Sequence, residues 1–159
     1  MNAGSLAKIA NRIRLELQEI ERVLGRVQEG WERARRSNDD YYLDGVALNL
    51  HGFYSGLERI FSLIAETLDN SMPQGENWHL LLLEQMAREI PYVRPAVISQ
   101  NVEKRLNEYR GFRHVVRNVY TYHFDPAKIG KLIKNAPDLF TQAKLEILAF
   151  AAFIEQGDS

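Results

Sequence analysis

Residues 5–31 read SLAKIANRIRLELQEIERVLGRVQEGW. Within this stretch Leu6, Ile9, Ile13, Leu17, Ile20, Leu24, Val27 and Trp31 recur at steps of three and four. An α-helix completes a turn every ~3.6 residues, so this spacing gathers the apolar side chains into one narrow stripe. Arg12, Glu16, Glu19 and Arg26 take the opposite face. A strand would need alternation at every second residue, and the chain shows no such run. Ser5 stands where an N-cap hydroxyl belongs. A stripe this long and narrow predicts an antiparallel hairpin with the helix that follows.

Ser37-Asn38-Asp39-Asp40 is a turn and capping signal. The next stripe, Val46, Leu50, Phe53, Leu57, Ile60, Ile64 and Leu68, predicts a second helix to about Leu68. Gly52 and Gly56, four residues apart inside it, suit close helix packing. Asp69 to Gly75 reads as a loop. A third helix is predicted from about Trp78 to Arg88. Pro91 and Pro95 then bracket an extended link, because the residue before proline is pushed out of the helical region. A fourth helix is expected from about Val102 to Tyr122. Asp125 and Pro126 form a cap and first-turn pair for a short helix. A separate last helix is expected from Pro137 to Ile154, carrying Phe140, Ala143, Ile147, Ala151 and Ile154 on one face. The pattern predicts an all-α, up-and-down bundle of about five helices, one domain over residues 1–159.

The chain is 45% hydrophobic and 26% charged, which is a globular rather than a disordered balance. It has no cysteine, and that excludes disulfides, thiolate nucleophiles and zinc–thiolate sites. No stretch approaches the ~20 apolar residues of a membrane helix. Lys8, Arg12 and Arg14 interrupt the apolar run that a signal peptide would need. A cytoplasmic location is expected.

The net charge of −1 does not mark a general nucleic-acid binder. Its distribution is uneven. Between Lys104 and Lys134 stand eight basic residues (Lys104, Arg105, Arg110, Arg113, Arg117, Lys128, Lys131 and Lys134) against two acidic ones, Glu108 and Asp125. That stretch is formally +6 and leaves −7 on the rest of the chain. A basic region on an acidic body suits a phosphate-bearing ligand, although a solvated helix face has the same pattern. His51, His79, His114 and His123 include no His-x-x-x-His pair, which argues against a metal site. No glycine-rich phosphate loop is present and no cofactor is called for. His51 and His79 read as structural, and Tyr41, Tyr42 and Tyr54 as packing residues.

The dense region is Tyr109-Arg110-Gly111-Phe112-Arg113-His114-Val115-Val116-Arg117-Asn118-Val119-Tyr120-Thr121-Tyr122-His123. On a helix Arg110, Arg113, Arg117 and Tyr120 share a face, with His114 and Asn118 on the adjoining one. Guanidiniums so close repel unless anions neutralise them. Carboxylates from the second helix, such as Asp44 or Glu58, could do this, and so could a phosphate, which suits the bidentate guanidinium fork.

Arg113 to Tyr120 resembles the Arg-x-x-x-x-His-x-Tyr signature of the HepT-like branch of HEPN ribonucleases. Leu50-His51-Gly52-Phe53-Tyr54-Ser55-Gly56-Leu57-Glu58-Arg59-Ile60-Phe61 resembles the second helix of that family. Met72-Pro73 through Gly75, Trp78-His79, Leu82 to Met86 and Arg94-Pro95-Ala96-Val97 continue the likeness, over roughly residues 40–130. The resemblance implies a dimeric HEPN bundle whose two motifs share one cleft. It implies an endoribonuclease toxin that cuts RNA, tRNA being one substrate, without a metal. Its partner would be an MNT-type nucleotidyltransferase antitoxin of a type VII-like pair, which silences it by AMP transfer to a motif tyrosine, here Tyr120. Arg110, Arg113 and Arg117 would bind phosphate.

In the signature register the family's histidine falls on Asn118, which cannot move a proton near neutral pH. In a second register Arg117 and His123 form an Arg-x5-His pair. His114 and His123 are the candidates for proton transfer. The alternative is a catalytically silent HEPN dimer that binds RNA, a nucleotide or the nucleotidyltransferase.

Overall fold

The computed structural model describes residues 3–37, 40–118 and 126–157, with side chains for all of these except 3, 40–41, 113–118 and 126. Five helices make up most of it: α1 (Ala3–Ser37), α2 (Asp40–Thr67), α3 (Trp78–Met86), α4 (Gln100–Asn118) and α5 (Pro126–Gln156). Among the described residues there is no strand, and Ile90 and Arg94 form an isolated antiparallel bridge.

The α1 stripe is its buried face: Ile13, Leu17, Ile20 and Val27 are fully enclosed. The helix begins at Ala3 rather than after Ser5, so Ser5 lies in the first turn and is not the cap. α1 runs antiparallel to α2 as the spacing predicted, with Glu16 beside Arg59 and Gly30 beside Val46. Glycine sets the distance between them. A Cβ at Gly56 would lie 2.5 Å from Cγ1 of Ile20, and one at Gly30 would lie 3.0 Å from Cγ2 of Val46. α5 lies along another side of α1, also antiparallel, tied by Arg14–Glu155, Glu21–Lys144 and Gln28 to the Ile133 carbonyl. There Gly130 makes room for Trp31, whose Cζ2 would be 2.9 Å from an added Cβ.

The expected break at Pro137 does not occur: α5 runs unbroken from Pro126 to Gln156 with Pro137 inside it. Proline has no N–H to offer the carbonyl four residues back, and its ring pushes the preceding turn outward. Other side chains take up the carbonyls of that turn. Gln28 Nε2 donates to the Ile133 carbonyl at 3.2 Å, and the Tyr109 hydroxyl donates to the Leu132 carbonyl at 2.6 Å. The Gln28 bond therefore satisfies the carbonyl that Pro137 leaves without its helical donor, while the Tyr109 bond goes to the carbonyl before it.

The link between α3 and α4 is held from inside. Arg94 is buried and donates to both carboxylate oxygens of Asp69, at 2.7 and 2.8 Å. It also donates to the carbonyls of Arg88, Pro95 and Gln85 at 2.9, 3.0 and 3.2 Å. Gln85 Nε2 adds a further bond to Asp69 at 2.7 Å. Ser99 caps α4: its hydroxyl accepts the Val102 N–H at 3.2 Å, while Glu146 accepts from the Ser99 N–H and hydroxyl at 2.6 and 2.9 Å. One apolar core draws on all five helices, with Phe53 edge-on to both Tyr109 and Phe140. Among the described residues no helix is long and apolar enough to cross a membrane.

Candidate nucleic-acid interface

α4 is where the sequence placed the chemistry, and its inner face is set by Val102, Leu106 and Tyr109, all buried. Tyr109 anchors the helix to both neighbours through its ring against Phe53 and its hydroxyl on the Leu132 carbonyl. Burial, with a smaller push from Glu108 that Arg105 partly offsets, holds that phenol well above its ordinary pKa. At the other end of the helix the Glu103 carboxyl is also raised, by burial and by Glu84, against the pull of Arg88.

α4 and α5 run antiparallel. Two contacts fix their register: Arg105 to Asp138 at 2.9 Å and Tyr109 to the Leu132 carbonyl. Continuing in that register, Arg110 lies level with Lys131, and position 113 lies level with Lys128. The two basic halves of the 104–134 segment are therefore brought side by side, at the end of the bundle where α1 finishes and α2 begins. Lys128, Lys131 and Lys134 are exposed, spaced three apart along α5. The first turn of α5 has no acidic residue, so Lys128 stands near the positive end of the helix dipole. A cation there opposes the dipole, typically by about 0.3–1 kcal/mol, and a bound anion would relieve it.

The arginines differ in how they are neutralised. Arg105 is taken by Asp138 and Gln142. Arg110 donates to Asn107 Oδ1 at 2.7 Å, and among the described residues it meets no carboxylate. Among the described residues neither carboxylate expected from α2 is paired with Arg110. Glu58 is buried and lies 2.7 Å from Nδ1 of His79, and Asp44 lines a cleft of about 480 Å³ between α1 and α2 with Arg26, Arg33, Tyr42 and Asn49.

Arg113, His114, Arg117 and Asn118 are carried on α4, but their side chains lie outside the described residues, as do Tyr120, Tyr122 and His123 altogether. Of the singled-out aromatics, Tyr54 is core and Tyr42 faces the α1–α2 cleft, 37% exposed. His79 stacks on Trp78, with ring centroids 3.5 Å apart. Sequence reading did not single out the Arg105–Asp138 pair. Its signal, an arginine and an aspartate on successive helices, is too common to stand out without the register.

No curated protein and no solved structure matches the chain. A family model described as HepT-like protein matches residues 45–154, from the start of α2 through almost all of α5. That span covers well over half of the sequence and includes α4 with its arginines, so the chain belongs to the HepT-like family.

Proposed function

We propose that this HepT-like protein is the toxin of a toxin–antitoxin pair, an endoribonuclease that works as a homodimer and needs no metal. The observation that carries the reading is the uncompensated basic strip: Arg110, free of carboxylates among the described residues, level with exposed Lys131 on a helix whose first turn has no acid. Among the described residues ion pairing accounts for Arg105 but not for this strip. A polyanion accounts for it, and two copies facing each other would double the positive charge.

In this reading Arg113 and Arg117 hold the scissile phosphate with Arg110 beside them. His123 or His114 takes the proton from a ribose 2′-hydroxyl. The oxygen attacks the adjacent phosphorus and the next nucleotide's 5′-oxygen leaves, taking a proton. The arginines stabilise the negative charge that develops on the phosphoryl oxygens. Asn118 holds phosphate or ribose by hydrogen bonds and moves no proton. An MNT-type nucleotidyltransferase partner would silence the site by attaching AMP to Tyr120, which places a covalent phosphate among the guanidiniums.

The test is total tRNA incubated with the protein in EDTA. The wild type cuts, and Arg117→Ala loses at least a hundredfold in rate, since one lost transition-state contact typically costs about 3–4 kcal/mol. A wild type that is inert while Asn118→His cuts would identify a silent RNA-binding dimer instead. For the switch, co-expression with the nucleotidyltransferase should add AMP to the wild type but not to Tyr120→Phe, as read by peptide mass spectrometry.

A further inference from the structure

The cleft of about 480 Å³ that Asp44 lines lies between α1 and α2, at the same end of the bundle as the basic strip. Among the described residues α4 makes no contact with α1, so this cleft and the strip between α4 and α5 open on different sides. Two glycines shape it. Gly30 on α1 lets α2 come close, since a Cβ there would stand 3.0 Å from Cγ2 of Val46. An added Cβ at Gly45 on α2 would meet nothing within 4 Å, so a side chain at this lining position would enter the cleft.

The lining carries four charged side chains, and two of them cancel: Arg33 donates to Glu29 at 2.7 Å. The other two do not meet. Arg26 on α1 and Asp44 on α2 face the same cleft, and among the described residues neither forms an ion pair or a hydrogen bond. The half-buried Asn49 amide, one turn beyond Gly45, has no bond partner among them either. Tyr42 adds a partly exposed ring, where a packing tyrosine such as Tyr54 is buried. A solvated charge needs no partner. A cation, a carboxylate, an amide and an aromatic ring converging on one cavity are a set that a ligand engages together.

We infer that the α1–α2 cleft binds a guanosine nucleotide. Asp44 sets the base. A carboxylate accepts two parallel hydrogen bonds, and guanine is the base whose pairing edge offers two adjacent donors, its ring N–H and its amino group. Adenine, cytosine and uracil each put an acceptor beside their donor, which a carboxylate repels. Asn49 donates its amide N–H to the guanine carbonyl oxygen. The base lies against the Tyr42 ring, as bases commonly do on aromatic side chains. Arg26 takes the phosphate, with the Glu29-bound Arg33 as a second cation nearby. An amino-acid zwitterion would satisfy Arg26 and Asp44 but would leave Asn49 and Tyr42 unused. The nucleotide is either free or part of a single RNA strand. Its binding does not rest on RNA cleavage, so an inert nuclease would leave this inference standing.

The experiment is isothermal titration calorimetry of the full chain with the 5′-monophosphates of guanosine, adenosine, cytidine and uridine. The guanosine nucleotide should bind with a Kd below about 1 mM, roughly tenfold or more tightly than the other three. Arg26→Ala should weaken it roughly tenfold, as loss of a charge-assisted bond does, and leave unphosphorylated guanosine unaffected. Asp44→Asn should remove the preference for guanine. Gly45→Leu should fill the cleft and abolish binding. Its melting temperature should not fall, because leucine is the better helix former and meets open space. The oligoribonucleotides UUGUU and UUUUU separate the two sources. A preference for UUGUU that Gly45→Leu removes assigns the ligand to single-stranded RNA, and guanosine-nucleotide binding without that preference assigns it to the free nucleotide. Three results would each overturn the inference: no saturable binding up to about 5 mM together with no UUGUU preference, equal affinities for the four nucleotides, or binding that survives Gly45→Leu.

Discussion

Replacing Arg94 by methionine removes the guanidinium that ties α2, α3 and the link before α4 together. The side chains of Arg94 and Asp69 are both wholly inaccessible to solvent. Two of the five bonds made by Arg94 reach Asp69 and three reach backbone carbonyls. Methionine fills much of the same volume but donates nothing, so Asp69 is left as a buried charge with the Gln85 amide as its remaining side-chain donor. Breaking a buried pair in this way typically costs about 3–5 kcal/mol. For a domain of this length each kcal/mol lowers the melting temperature by roughly 2–4 °C, so the expected drop is roughly 6–20 °C. Asp69→Asn should cost less, because Arg94 keeps its three carbonyls. The double variant should not recover wild-type stability, as it would if the pair alone mattered, because those carbonyls stay unsatisfied. Thermal melts of the three variants by circular dichroism decide the matter. A drop below about 2 °C for Arg94→Met would refute the view that this buried cluster organises the link.

Tyr109→Phe should cost about 1 kcal/mol at neutral pH through the lost bond to the Leu132 carbonyl, measured by urea denaturation. Because the folded state raises the phenol pKa, the folded form holds the proton more tightly than the unfolded one. The stabilisation is thus complete below the unfolded value of about 10 and declines as the pH rises above it, and Tyr109→Phe should flatten that decline. Gln28→Ala should cost about 1 kcal/mol in the wild type and much less in a Pro137→Ala background, where residue 137 can again donate to the Ile133 carbonyl. Equal costs in both backgrounds would show that Gln28 does not serve that carbonyl.

The helical character of this chain is local and therefore legible. Apolar residues at steps of three and four in α1 and α2 choose the face that must be buried, whatever it is buried against. Gly56 announces close packing, against Ile20, whereas Gly52 meets Val23 only at an ordinary distance. The candidate site was legible as composition: basic residues dense between Lys104 and Lys134, and Arg113 to Tyr120 resembling a known signature. Pro137 misled because its local cost is real, and the bond that offsets it comes from Gln28, over a hundred residues away. Glu58 was a reasonable partner for the α4 arginines by charge, yet the packing of α3 gives it to His79. The sequence alone determined broadly where the helices lie, which face of each long one is apolar and where positive charge accumulates, since each depends on near neighbours. Only the tertiary structure decided the register of α4 against α5, which of the first arginines is already paired, and that Arg26 and Asp44 line one cleft. Those outcomes depend on groups distant in the chain meeting at distances of about 3 Å, and periodicity carries no information about such meetings.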